Sequence, residues 1–212
     1  MNNSLLILGA GGHARVVAET AIATGSFSSI AFVDDRCSAS SKTSSVLGIP
    51  LLGPLSLCWD CNIRSIYASA FVAIGNPRIR LKLISQLSRF GYSLPTIIHP
   101  CSWVSPSAVI GSSSIVLAQA AIQTQARTGT GVILNTGSSI DHDVCLGDGV
   151  HVCPGARLAG DVQVGHRTWI GIGASVIQQV SIGSDVIIGS GAAVVSTIPD
   201  GVTAVGVPAR VQ

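Results

Sequence analysis

Residues 132–165 read VILNTGSSIDHDVCLGDGVHVCPGARLAGDVQVG, and their spacing decides the fold. Leu134, Ile140, Leu146, Val152, Leu158 and Val164 recur every sixth residue. Four residues after each comes a small or β-branched side chain, as at Ser138, Val144, Val150, Ala156 and Val162. Extended in both directions, the same phase runs from Val104 to Val194, and only Thr128 is not aliphatic in the leading position. The next position is often glycine, as at Gly111, Gly129, Gly147, Gly165, Gly171, Gly183 and Gly189. A six-residue period held this long is the signature of a parallel β-helix. Each hexad supplies one short strand and one turn, with the aliphatic residue pointing inward. Three hexads predict one coil of about 18 residues, and coils stack at about 4.8 Å. A single coil cannot bury its own core, but a stack can. The phase never slips, so no loop is expected within the coil.

Upstream of about residue 100 the pattern is different. Residues 4–9, SLLILG, read as a strand, 13–24 as a helix and 29–33 as a strand ending at Asp34-Asp35. Residues 66–74 and 95–98 read as further strands. Residues 77–90 read as a helix with Pro77 in its first turn, where the missing N–H costs nothing. Residues 36–65 read as polar and irregular, with SASSKTSS (38–45) as a loop. Strands alternating with helices imply a parallel sheet with crossovers. Two domains are expected, an α/β domain over 1–100 and an all-β coil over 101–212.

Composition excludes several function classes. Apolar residues are 47 % and charged residues 10 % of the chain, against a usual charged share of about 25 %. Buried, stacked strands need few charges. No apolar run approaches the roughly 18 residues of a membrane span. Net charge is +2 with no basic cluster, so the electrostatic footprint of a nucleic-acid binder is missing. The start, MNNSLLILGAGG, has no positive n-region and runs into a strand, which predicts a cytoplasmic protein. Six cysteines then read as thiols. Cys58 and Cys61 form a CxxC, but no second ligand pair stands at zinc-site spacing, and no metal is expected.

Two stretches carry chemistry. Gly9-Ala10-Gly11-Gly12-His13-Ala14 fits the glycine pattern of a dinucleotide loop between a strand and a helix. Glycines let backbone approach a phosphate, and a helix N-terminus favours its charge. Asp34 and Asp35 stand where a ribose hydroxyl is bound. The second stretch is Asp141-His142-Asp143, two residues past the inward Ile140 and therefore near a corner, facing outward. Its neighbour one coil on is Gly160, which leaves room for a substrate. A histidine beside a carboxylate suits general-base work near neutral pH. The bland alternatives are a tight β–α turn and a solvated loop.

The sequence resembles the left-handed β-helix acyltransferases, and within them the sialic acid O-acetyltransferase and nucleotide-sugar N-acetyltransferase family. The resemblance rests on GAGGHARVV (9–17), FVDD (32–35), AIGNP (73–77), VILNTGSSIDHD (132–143), GVHVCPGARLAGDVQVG (149–165), WIGIGASVIQQVSIG (169–183) and GVPAR (206–210). It implies a Rossmann-like domain holding a nucleotide sugar and a left-handed coil that assembles as a homotrimer. It implies transfer of acetyl from acetyl-CoA to the amine of a nucleotide-linked amino sugar, of the 4-amino-4,6-dideoxy type, for surface glycan synthesis. By the same resemblance His142 is the catalytic base with Asp143 as its acidic partner. His151, Gly160, Ile172 and Ser190 take acetyl-CoA, although Ser190 stands where the family has glycine. Gly11, Gly12, His13, Asp34, Asp35, Gly75 and Asn135 contact the nucleotide sugar. O-acetylation of a sugar such as sialic acid needs the same base and stays open. An inert nucleotide-binding scaffold and an NAD-dependent enzyme are the remaining alternatives, and His166 reads as surface.

Overall fold

The computed structural model describes residues 3–36 and 44–212. The chain divides into two compact units, Met1–Ile97 and Ile98–Gln212.

The first unit is a five-stranded sheet. Strands β1 (Ser4–Leu8), β2 (Ser29–Val33), β3 (Ser44–Val46), β4 (Ile49–Leu51) and β5 (Ser69–Val72) lie in the order β3-β4-β2-β1-β5. Leu5, Leu6, Ile7 and Leu8 are all fully buried, because β1 is central and runs parallel to both β2 and β5. Helix α1 (Gly12–Ala23) buries Ala14, Val17, Ala18 and Ala21, a spacing of three, four and seven that makes one apolar stripe. Its small alanines suit close packing on the sheet.

The region read as irregular holds structure. The β3–β4 hairpin, a 3-10 turn at Leu55–Trp59 and helix α2 (Cys61–Ile66) occupy it. Each is too short to show a period, which is why the sequence hides them. The Asp60 carboxylate caps α2 by accepting from the Asn62 N–H at 2.7 Å. α2 also takes the first residue of the strand expected over 66–74, leaving Ser69–Val72. The strand expected over 95–98 is only Ile97–Ile98. Of the predicted 38–45 loop, residues 38–43 lie outside the described residues. Helix α3 (Pro77–Phe90) begins as expected, with Asn76 Oδ1 accepting from the N–H groups of Arg78 and Ile79.

The second unit is a three-sided parallel coil. Its first face carries the strands Trp103–Val104, Ala121–Ile122, Ser139–Ile140, Arg157–Leu158, Ser175–Val176 and Ala193–Val194. The second face carries Val109–Ile110, Arg127–Thr128, Cys145–Leu146, Gln163–Val164 and Ser181–Ile182. The third includes Ile115–Val116, Ile133–Leu134, His151–Val152, Trp169–Ile170 and Ile187–Ile188. Paired residues are 18 apart, as in Ile122 with Ile140 (140 − 122) and Val152 with Ile170 (170 − 152). The period therefore holds without a slip through Val194. Only beyond it does Ile187 pair with Thr203, an offset of 16 (203 − 187). There Thr203–Val205 and Arg210–Val211 form an antiparallel hairpin.

From Ser113 to Gly191, every sixth residue has a left-handed backbone. Glycine fills many of these places, but Asp143 (φ 60) and Asp161 (φ 57) fill others, since aspartate tolerates that region better than most side chains. The corner between the second and third faces is different. A Cβ on Gly147 would stand 2.7 Å from the His166 nitrogen, and one on Gly165 close to the Ser184 nitrogen. These glycines are required by the close approach of successive coils.

Candidate functional site

In the first unit, the chain leaves β1 through Gly9, whose φ of 103 demands glycine and where an added Cβ would also crowd the Ala73 carbonyl oxygen at 3.1 Å. The turn then enters α1, with Gly11 as its N-cap. Gly11, Gly12, His13, Asp34, Asp35 and Gly75, all expected from sequence, line one cavity of about 380 Å³. Asp35 Oδ1 accepts from the Leu55 N–H at 2.8 Å, tying the end of β2 to the 3-10 turn. The imidazole of His13 is half-buried, and its Nε2 has no hydrogen-bond partner among the described residues. Burial first, and the Arg80 charge second, push its pKa down to about 4, so the ring is neutral.

Two arginines were missed by the sequence reading. Arg80 reads as one more polar residue on a helix, yet it is fully buried. Its Nη1 donates to the carbonyls of Ile74 and Gly75 at 2.9 and 2.7 Å, holding the Gly75 wall of the cavity. Arg36 stands just past the acidic pair and also lines the cavity. Its guanidinium is forked onto Asp34 and holds that carboxyl down at about 2, against the raising effect of Asp34's own burial. Only the spacing Asp-x-Arg could have flagged it.

In the coil, His142 sits at the corner between the first and second faces. The left-handed turn at Asp143 brings its carboxylate 2.9 Å from His142 Nδ1. An ionised carboxylate accepts only, so Nδ1 carries the proton and Nε2 is left with its lone pair. The other side of the corner is tied by the His142 N–H, which donates to Asp141 Oδ1 at 3.0 Å. The Asp143 hydrogen bond is the main cause raising the His142 pKa above 6.5. The ring lies over Gly160, where a Cβ would collide with Nε2 and Cε1. The Gly160 N–H, at the same place, donates to no group among the described residues.

His151 lies on the third face, half a coil on. It points outward as its position beside Val152 predicts, yet only 8 % of it is exposed. Trp169, one coil on, covers it edge-on at 4.3 Å between ring centroids. The Asn135 amide is fixed by the Thr136 N–H, which donates to Oδ1 at 2.8 Å. Its Nδ2 therefore faces His151 Nε2 at 3.1 Å and donates to it, placing the His151 proton on Nδ1. The exposed Ile172 and Ser190 stack on the corner between third and first faces, where the Gly191 N–H donates to the Ile172 carbonyl at 2.8 Å. The structure thus joins His142, Asp143 and Gly160 at one corner and Asn135 with His151 at another place on the coil. His166 is exposed, as expected, but its Nδ1 also accepts from the Asp148 N–H at 2.9 Å.

Cys58 is buried, which pushes its thiol up to about 11, whereas Cys61 is exposed. Among the described residues no group of three His, Cys, Asp or Glu could hold a metal ion, and no helix is long and apolar enough to cross a membrane.

This two-unit architecture, with a histidine–aspartate pair on the coil, defines a class: acyltransferases with a Rossmann-like unit and a left-handed β-helix. Residues 4–87 match the model of the PglD N-terminal domain. The chain is 42 % identical to the acetyltransferase domain of PglB from Neisseria gonorrhoeae FA1090, with both chains fully covered and a TM-score of 0.94. That domain has also been solved in complex with acetyl coenzyme A. The chain is 40 % identical to PerB from Caulobacter crescentus in complex with CoA and GDP-perosamine, covering 99 % of this chain and 97 % of that one, with a TM-score of 0.89. WeeI from Acinetobacter baumannii AYE matches at 27 % identity, covering 98 % and 99 %, with a TM-score of 0.87. The chain belongs to the nucleotide-sugar N-acetyltransferase family.

Proposed function

We propose that the protein transfers acetyl from acetyl-CoA to the amino group of a nucleotide-linked amino sugar. The observation that carries this reading is the exposed His142–Asp143 pair with a free Nε2 over Gly160, in a chain similar end to end to an acetyltransferase domain solved with acetyl-CoA. The amine nitrogen attacks the thioester carbonyl carbon while His142 Nε2 takes its proton. Asp143 stabilises the imidazolium. The free Gly160 N–H is a donor for the developing oxyanion. As the C–S bond breaks, His142 returns the proton to the CoA thiolate, so amide and free thiol leave without a covalent enzyme intermediate. His151, Gly160, Ile172 and Ser190 contact CoA, while Asn135 and the first-unit cavity contact the sugar nucleotide. Asn135 has a second task, since its amide also sets the His151 tautomer.

A 4-amino-4,6-dideoxy sugar, surface glycan synthesis and a cytoplasmic location complete the reading. So does a homotrimer. The His142 pair and the Asn135–His151 pair lie at different places on one coil, and coils packed side by side bring one protomer's pair to its neighbour's. Ile177 and Val195 continue the Asp141 column up the same corner as exposed apolar side chains, as a packed edge requires.

Thiol release from acetyl-CoA across UDP-, GDP- and dTDP-linked 4-amino sugars tests the reaction. Turnover on one of them that falls about 10²–10⁴-fold in His142→Ala is the expected result. Full turnover in that variant refutes the mechanism. Silence on every nucleotide sugar, with turnover on free sialic acid, replaces N-acetylation by O-acetylation.

A further inference from the structure

Asp34 ends β2 where an acidic side chain would meet a ribose hydroxyl, but its carboxylate is already occupied. Oδ2 accepts from the Ala10 N–H at 2.6 Å and from Arg36 Nη2 at 2.7 Å. Oδ1 accepts from the Arg36 backbone N–H at 2.8 Å and from Arg36 Nε at 3.0 Å. A carboxylate offers about four lone-pair sites, and four donors fill them. The side chain is 11 % exposed. A ribose hydroxyl would have to displace a charge-assisted bond, which is stronger than the one it offers.

Arg36 is in the opposite condition. Its side chain is 72 % exposed. Its Nη2 lies 3.2 Å from where a Gly11 Cβ would stand, so the guanidinium covers the mouth of the glycine turn. Nη1 makes no hydrogen bond among the described residues. A fork with two edges is thus held by one edge and presents the other over the N-cap of α1. Beside it the backbone N–H groups of a helix start favour negative charge. The other carboxylate on the cavity, Asp35, opposes an anion, so a cation is needed there. Arg80 is fully buried, with Nη1 on the Ile74 and Gly75 carbonyls. A planar guanidinium clamped in place loses little further freedom when it forks onto a phosphate.

We propose that Arg36 grips the diphosphate of the nucleotide sugar, and that Asp34, rather than meeting a ribose hydroxyl, is a positioning residue that holds the guanidinium over Gly11. The proposal rests on the nucleotide-sugar reading and assigns the diphosphate a side chain that the sequence motif does not contain.

Titration calorimetry on the full chain with UDP, GDP, dTDP and their monophosphates tests it, in wild type, Arg36→Ala, Arg36→Lys and Asp34→Asn. Wild type should bind one diphosphate at least about 10-fold tighter than its monophosphate. Arg36→Ala should weaken the diphosphate about 10- to 100-fold and the monophosphate far less, erasing the difference, as loss of a charge-assisted pair would. Arg36→Lys should restore part of it as a point charge. Asp34→Asn should weaken the diphosphate in the same direction by a smaller factor, because Arg36 stays but is no longer clamped. In turnover, both Arg36→Ala and Asp34→Asn should raise KM for the nucleotide sugar by a larger factor than they change kcat, and an unchanged melting curve in each variant reports an intact fold. Unchanged diphosphate affinity in Arg36→Ala overturns the proposal. Equal loss for diphosphate and monophosphate overturns it in favour of a contact to the base or sugar. Wild type that binds none of the nucleotides refutes the nucleotide-sugar reading itself, and the proposal with it.

Discussion

In the proposed mechanism His142 acts as a base only while Nε2 is unprotonated and correctly placed, and two neighbours control those conditions separately. Asp143 raises the imidazole pKa above 6.5. The proposed mechanism uses the neutral form, so kcat should fall as pH drops through that raised value, with its acid limb above 6.5. Asp143→Asn should move the limb down toward 6.5 and lower kcat by about 10-fold or more, because the proton is no longer held on Nδ1. A pH profile whose limb does not move would assign the shift to another group. Gly160 controls position. Its added Cβ meets an exposed, movable ring and not backbone, so Gly160→Ala should melt as wild type does while kcat falls roughly 10²-fold. Melting curves and saturated rates together check this. His142 was legible because its place in the hexad predicts an outward side chain beside a glycine. The occupied carboxylate of Asp34 was not legible, since no pattern states which of several donors a side chain will choose.

The corner between the second and third faces is held by a device that the hexad pattern does not display. The Thr130 N–H donates to Asp148 Oδ1 at 2.8 Å, the Asp148 N–H to His166 Nδ1 at 2.9 Å, the His166 N–H to Ser184 Oγ at 3.1 Å, and the Ser184 N–H to Asp200 Oδ1 at 2.6 Å. Each coil's side chain thus satisfies a backbone N–H of the coil before it. His166→Ala should lower stability by about 0.5–1.5 kcal/mol, read as a Tm loss of roughly 1–6 °C. His166→Asn, whose Oδ1 stands where Nδ1 does, should retain most of it. Equal Tm values for the alanine and asparagine variants would assign no role to the acceptor. The faces themselves were readable because inward aliphatics obey one period. The β3–β4 hairpin and α2 were not, because three to six residues carry no period.

For the whole molecule, the separation of the His142 and Asn135–His151 pairs on one coil predicts that activity requires the proposed trimer. Light scattering should give three protomers, and specific activity should fall on dilution in step with dissociation. A monomer with full activity would contradict the assembly. The exposed Ile177 and Val195 on the His142 corner are the surface to substitute next, with aspartate at either expected to shift the equilibrium toward monomer.

The six-residue period by itself determined a coil of 18-residue turns, because every inward position faces the same apolar interior. The glycine turn likewise announced an α/β unit, because it must follow a strand and open a helix. Tertiary structure alone decided which polar side chains are committed to each other. Asp34 was bound to Arg36, Asn135 to His151 and His166 to the Asp148 backbone, pairings that depend on which groups the folded backbone brings within about 3 Å. Burial of an inward position is a property of one residue in a repeat. A hydrogen bond is a property of two residues whose distance the chain sets only when folded.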